Sequence, residues 1–269
     1  MEQVSEHPHS SSEDMAFRRS KLGIYLIIGK GGRSFLKRAL NLLPLKLLLI
    51  QVVHSIRTVL KYADTIHVVT DMPFMLWGLR GLKPVSPRAY RFKPKDSRWF
   101  SMSYKWDIEE FADSYEYLMY FDCDTILRSS GFLSVFFESD KRIMLAKASV
   151  INQYTSALLS KSQKEQNSVL FDPCFFIAQT ELLIKIFARC RELYQEHPQV
   201  FDQYSDMPFF NRSVIDLYDG EAIPTCTEII LSAQQSSDFS KDIYHFNSGN
   251  LFTKCRHILS FYMRLNAMM

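Results

Sequence analysis

Five apolar residues, Tyr117 to Phe121, run without a break into Asp122-Cys123-Asp124-Thr125. An uninterrupted apolar run of this length, bounded by Glu116 and Asp122, suits a β-strand covered on both faces, and such strands lie in the middle of parallel sheets packed between helices. The run therefore predicts a central strand. Its two aspartates then stand at the carboxyl end, outside which open α/β sheets bind their ligands.

The flanking sequence supplies the rest of such a sheet. Leu22–Ile28 is apolar, ends at Gly29 and reads as a first, buried strand. Pro44 suits the start of a helix that Leu45–Tyr62 continues, and Thr65–Thr70, rich in β-branched residues, reads as a second strand. Strand, helix, strand implies parallel pairing. Further strands are expected at Ala89–Phe92 (within the proline-bearing loop Gly81–Lys95), Ile143–Ala146, Cys174–Ala178 and Ile223–Ile230. Helices are expected at Met102–Ala112, at Glu181–His197, where Pro198 stops the chain, and at Leu251–Asn266. The fold class is thus α/β. Residues 21–269 are expected to form a single three-layer α/β/α domain with a mixed, mostly parallel central sheet, behind a polar tail over 1–20. A chain of 269 residues, 47% of them hydrophobic, can bury a core of that size.

Composition removes several function classes. A formal net charge of +3 is too small for a dedicated nucleic-acid binder. The five cysteines are odd in number and show no CxxC pair, which argues against a disulfide framework or a zinc cluster and for a reducing, cytoplasmic setting. Residues 1–20 lack the apolar core of a signal peptide, and His7 and His9 within them read as incidental. Leu42–Val53, the most apolar stretch, reads as a buried helix too short to span a bilayer. The C-terminal helix sets Arg256, His257 and Arg264 among Ile258, Leu259, Phe261 and Tyr262, a pattern compatible with packing on the sheet or with peripheral membrane contact. Gly29-Lys30-Gly31-Gly32-Arg33-Ser34 lacks the GxxxxGK[ST] spacing of a P-loop and reads as a surface turn.

The chemistry concentrates at Asp122 and Asp124. If the backbone stays extended there, residues two apart point the same way, and the two carboxylates face one point in space. They repel unless a cation lies between them. A hard divalent ion with oxygen ligands resolves the repulsion and can also hold a diphosphate. The plain alternative is a pair of solvated loop aspartates, one of them capping a helix.

The pattern as a whole resembles the nucleotide-sugar glycosyltransferases of the GT-A fold, closest to family 8, the glycogenin and galactosyltransferase-like group. The matching pieces are the strand and Asp-x-Asp-Thr at Phe121–Thr125, the upstream Tyr104-Lys105-Trp106, Phe171-Asp172-Pro173-Cys174-Phe175-Phe176, Asp206-Met207 with Asn211, and Tyr244-His245-Phe246. They occur in the family's order across residues 22 to 260. The resemblance implies that Asp122, Asp124 and His245 hold manganese or magnesium, and that Lys105, with the two aspartates, binds the donor. Asp206, touching the donor sugar or acceptor, and Asp172 are the implied catalytic candidates. It further implies transfer of a hexose from a nucleotide sugar, most simply a UDP-sugar, to an acceptor hydroxyl with retention of configuration. Each position has a structural alternative: His245 a packed core histidine, Lys105 a solvated helix residue, Asp206 a helix N-cap before Pro208.

The sequence departs from that family in three places. Asp172 replaces an Asn, Cys174 a Gly and Met207 a Gln, which alters the sugar pocket and leaves the Asp-x-Asp intact. Two other readings stay open. A degenerate transferase would bind a sugar nucleotide without turnover. A haloacid-dehalogenase-type phosphohydrolase would need Thr at position 126, where Ile stands, and a late acidic pair such as Asp216 with Asp219.

Overall fold

The computed structural model describes residues 21–29, 35–60, 65–87, 99–139, 141–149, 151–167, 169–218, 223–247 and 250–267. The tail expected over 1–20, most of the glycine-rich turn (30–34) and the strand expected at Ala89–Phe92 lie outside them. In chain order the strands are β1 (Leu22–Ile28), β2 (Ile66–Thr70), β3 (Leu82–Val85), β4 (Tyr117–Phe121), β5 (Thr125–Leu127), β6 (Ile143–Lys147), β7 (Phe171–Gln179), β8 (Thr225–Cys226), β9 (Ile229–Ile230) and β10 (Ile243–His245). The helices are α1 (Phe35–Leu60), α2 (Gly131–Glu138), α3 (Gln153–Ser156), α4 (Lys161–Gln166), α5 (Thr180–Glu196), α6 (Pro198–Tyr204), α7 (Met207–Tyr218) and α8 (Leu251–Asn266), with short 3-10 turns between some of them.

Seven strands form one sheet in the order β3-β2-β1-β4-β7-β6-β8. β3, β2, β1 and β4 run parallel, and β6 runs parallel to β8. β7 is antiparallel to both its neighbours, β4 and β6. Alternation along the strands divides the interior into two layers. Ile24, Leu26 and Ile28 of β1 join Leu49, Val52 and Ile56 of α1 and Phe132, Leu133 and Phe136 of α2 on one side. Tyr25 and Ile27 join Trp106, Leu183, Ile186 and Phe187 of α5, and Phe210 and Val214 of α7, on the other. The architecture is therefore the expected three-layer α/β/α. β4 sits mid-sheet with all five residues buried, as its unbroken apolar run requires.

Several local expectations are corrected. α1 begins at Phe35 and passes through Pro44, so the proline does not start it. The packing of Leu42 and Leu45 against the core on either side of Pro44 outweighs the lost hydrogen bond. Over Leu42–Leu60, with mean hydropathy 1.5, this helix is also long and apolar enough to cross a membrane, contrary to the expectation from its N-terminal half; in the fold one face is buried on the sheet. Met102–Ala112 is not an α-helix. Phe100–Trp106 is 3-10, and a turn and a second 3-10 piece, Ala112–Ser114, follow. Ser103, Tyr104, Lys105 and Trp106 are buried in succession, which a one-faced helix cannot achieve. Cys174–Ala178 extends back to Phe171, so Asp172 lies within β7. Ile223–Ile230 divides at Thr227-Glu228: β8 joins the edge of the large sheet, while β9 joins a second sheet of order β5-β10-β9.

That small sheet packs under α8. Ile126 and Tyr244 share a buried cluster with Ile258 and Phe261 of α8 and Leu48 of α1. In the layer of α5 and α7 an aromatic seam centres on Phe176, fully buried, with ring centroids 5.1 Å from Tyr120 and 5.5 Å from Phe210. Phe176→Ala should cost about 3–5 kcal/mol in urea unfolding, whereas Val135→Ala, at an exposed position of α2, should stay within about 0.5 kcal/mol.

Candidate functional site

β4 ends at Phe121, and Asp122–Thr125 then forms a turn in which the Thr125 N–H donates to the Asp122 carbonyl (3.1 Å). The carboxylates therefore converge through a turn and not through an extended pleat. The turn leads straight into β5, whose antiparallel partner β10 places His245 opposite Thr125. The Phe246 N–H bonds the Asp124 carbonyl at 3.0 Å and closes this register. His245 Nε2 consequently lies 3.3 Å from Asp124 Oδ1 and 3.6 Å from Asp122 Oδ2. These three residues offer ligand atoms within 4.8 Å of one another, a set that could hold a metal ion.

β7 delivers Asp172 to the same place. The Asp122 N–H donates to the Cys174 carbonyl (2.9 Å), and the Cys174 N–H donates to Asp172 Oδ1 (3.0 Å). Here the β6–β7 pairing slips between Leu145, opposite Phe176, and Ala146, opposite Asp172. Pro173, which has no N–H to offer a ladder, sits inside that irregularity. Asp172, Cys174 and His245 form a second close group sharing the imidazole.

The opposite wall is a buried charge network. Lys105 Nζ is 3.1 Å from Asp206 Oδ2, 3.7 Å from Asp122 Oδ1 and 5.0 Å from the centre of the Tyr120 ring. Its backbone is pinned where the Tyr25 hydroxyl donates to the Lys105 carbonyl (3.1 Å). Gly29, at the end of β1, admits this segment, since a Cβ there would overlap the Ser101 side chain. Asp206 stands just before α7 and turns its carboxylate to Lys105 and to the Ser205 hydroxyl (2.8 Å). Ser205 has φ +70°, a conformation a non-glycine residue adopts only under constraint.

All six positions singled out from the sequence, Lys105, Asp122, Asp124, Asp172, Asp206 and His245, thus gather at one end of the sheet. Two participants were not foreseen. Lys254, on α8, pairs with Asp124, and the Tyr120 hydroxyl donates to Asp122. The strand alternation that aligns positions 120 and 122 could have suggested Tyr120. Nothing in the spacing of Lys254 pointed to Asp124. Asp216 does not join the group, because Arg189 and Arg212 hold it at 3.3 and 2.7 Å; Asp219 is outside the described residues.

Electrostatics separates these groups. Burial pulls the Lys105 ammonium down, but Asp122 and Asp206 outweigh it and hold the pKa up. Burial raises the Asp122 carboxyl, with Asp124 adding to the rise and Lys105 and His245 opposing it. Burial would also raise Asp124, yet His245 and Lys254 hold it below the usual carboxylate range. His245 is raised because Asp124 and Asp122 overcome burial. His67, a buried histidine stacked on Phe111, shows the contrast: burial and Lys83 push it down to about 4. Four carboxylates face two lysines and one histidine, so with a neutral imidazole the site is short of two positive charges.

Replacing Lys105 by Met should cost about 3–5 kcal/mol in urea unfolding, because Asp206 and Asp122 would lose their buried counter-charge. Adding Asp206→Asn should recover part of that loss.

No family model matches the sequence, and a search of curated proteins gives no match. Solved structures do match. One is the crystal structure of the galactosyltransferase LgtC in complex with donor and acceptor sugar analogs, with TM-score 0.50, 11% identity, and coverage of 88% of this chain and 95% of that one. At that identity the likeness concerns the fold alone, which in this chain is α/β with a mixed, mostly parallel central sheet.

Proposed function

We propose that this protein is a metal-dependent glycosyltransferase of the family 8 kind, moving a hexose from a UDP-sugar to an acceptor hydroxyl with retention of configuration. The observation that carries the reading is the meeting of Asp122, Asp124 and His245 Nε2 at the end of the central strand. It occurs within a fold shared with a galactosyltransferase whose structure holds donor and acceptor sugar analogs.

Two carboxylates and an imidazole suit Mn²⁺ or Mg²⁺, and the shortfall of positive charge around them matches one divalent ion. Asp122, Asp124 and His245 would hold it, and when bound it would neutralise charge developing on the departing diphosphate. Lys105 is a fixed, protonated cation for a donor oxygen. The Asp206 and Asp172 carboxylates would accept hydrogen bonds from sugar hydroxyls, and Lys105 with Ser205 keeps Asp206 oriented. Positioning of the two substrates and this fixed electrostatic frame would provide most of the acceleration.

One contact favours a second reading. The Lys254 ammonium already pairs with Asp124, so an internal cation could stand in for the metal in a protein that binds sugar nucleotides without turnover. A thermal-shift experiment separates the two. With UDP at a hundred times its dissociation constant, the transferase reading expects stabilisation of about 2.7 kcal/mol that needs Mn²⁺ and disappears in Asp122→Ala and Asp124→Ala. Equal stabilisation with and without Mn²⁺ supports the second reading, and no shift with any nucleoside diphosphate removes both.

Metal affinity should also depend on pH. In the metal-free chain the His245 pKa lies above its usual 6.5 because Asp124 and Asp122 overcome burial, and a metal must displace that proton. Mn²⁺ affinity, measured by calorimetry, should therefore still be rising with pH above 6.5, and His245→Gln should flatten that rise.

A further inference from the structure

Exposed apolar side chains are concentrated on one part of this molecule. Among the described residues, eight of the twelve exposed large hydrophobic side chains belong to α1, α8 and the stretch Phe74–Trp77. On α1 they are Leu43, Leu47 and Ile50, and on α8 they are Phe252, Leu259 and Met263. Both sets have the spacing of a single helical stripe. The two helices lie side by side and point the same way, since Cys255 Sγ meets the Pro44 carbonyl (3.5 Å) and Gln51 Nε2 donates to the Tyr262 hydroxyl (3.3 Å). Trp77, 85% exposed, is tethered to α1 where Lys46 Nζ donates to its carbonyl at 3.1 Å. A concentration of this kind marks a docking surface.

Charge indicates what docks there. The sequences of α1 and α8 contain no Asp or Glu but seven Lys and Arg, six of them besides the Lys254 that pairs with Asp124, in a chain whose net charge is only +3. Apolar stripes accompanied by cations and no carboxylates match the boundary of an anionic bilayer, where acyl chains take the apolar groups and lipid phosphates face Lys and Arg. A strongly exposed Trp suits the same boundary. A second copy of this chain fits poorly, because a two-fold contact would set cations against cations. The opposite face of α1, with Leu49, Val52, Val53, Ile56 and Leu60 in the core, leaves the helix to lie on the surface and not to span.

We propose that α1, α8 and Phe74–Trp77 form the face by which this protein binds peripherally to an anionic lipid bilayer. α8 also brings Lys254 to Asp124, so the element that meets the lipid reaches into the site. The proposal does not depend on the transferase reading, and its test does not measure turnover.

The full chain is floated through a density gradient with vesicles of phosphatidylcholine alone, or of phosphatidylcholine mixed with phosphatidylglycerol. It should rise with the mixed vesicles and not with the neutral ones. Leu47→Glu combined with Leu259→Glu should weaken that binding by about tenfold or more while leaving the thermal unfolding midpoint in place. Trp77→Glu, an independent variant, should weaken it in the same direction, and Val135→Glu on α2 should float like the parent chain. The proposal is overturned if the parent chain does not rise with anionic vesicles, or if both the double variant and Trp77→Glu float unchanged. It is overturned equally if sedimentation shows a dimer that the double variant dissociates and no vesicle is bound.

Discussion

β4 projects aromatic side chains from both faces: Tyr120 stacks beside Phe176 of the neighbouring β7 in one layer, and Phe121 meets Phe175 of β7 and Phe132 of α2 in the other. A strand so placed requires helices on both sides of its sheet and leaves only its end for polar chemistry. The turn Asp122–Thr125 is that end. Around it the chain assembles four carboxylates in a setting where they repel one another, and much of the local structure answers that repulsion. Lys105 is buried against Asp122 and Asp206, Lys254 reaches in from α8, and His245 is carried in on β10.

The arrangement distributes rigidity unequally. Lys105 is fixed by its pairing, by the Tyr25 hydroxyl on its backbone and by the close approach of its segment to Gly29. His245 is fixed by strand pairing and by its Nε2, 3.3 Å from Asp124 Oδ1; its buried Nδ1 has no hydrogen-bond partner among the described residues. Lys254 sits on a helix with one side against the small sheet and the other facing outward. Asp122 is the more accessible of the two aspartates, its side chain 23% exposed against 6% for Asp124, which Lys254 and His245 cover.

The two buried histidines show why residue type alone does not assign a role. His67 and His245 are each flanked by apolar residues in sequence and both are buried. His67 stacks on Phe111 with the Tyr115 hydroxyl 3.0 Å away and stays neutral. His245 faces two carboxylates and is pushed toward its charged form. Their difference lies in what is brought opposite them, which is a property of strand order.

The central strand, the three-layer α/β/α class and the convergence of Lys105, Asp122, Asp124, Asp172, Asp206 and His245 could be read from the sequence. Apolar runs and their spacing are local properties, and the order of the motifs matched a family pattern. The 3-10 form of Phe100–Trp106, the division of Ile223–Ile230 between two sheets, the turn at Asp122–Thr125 and the Lys254–Asp124 pair could not. Each depends on partners distant in the chain: the buried surroundings of Tyr104–Trp106, the competition of two sheet edges for one segment, the β5–β10 register, and the packing of α8 beside α1. The sequence by itself determined which apolar runs must be buried as strands and that Asp122 and Asp124 must crowd at the end of one. Only the tertiary structure decided which cations answer them, because counter-charges are chosen by proximity in space, and proximity is set by strand order and helix packing.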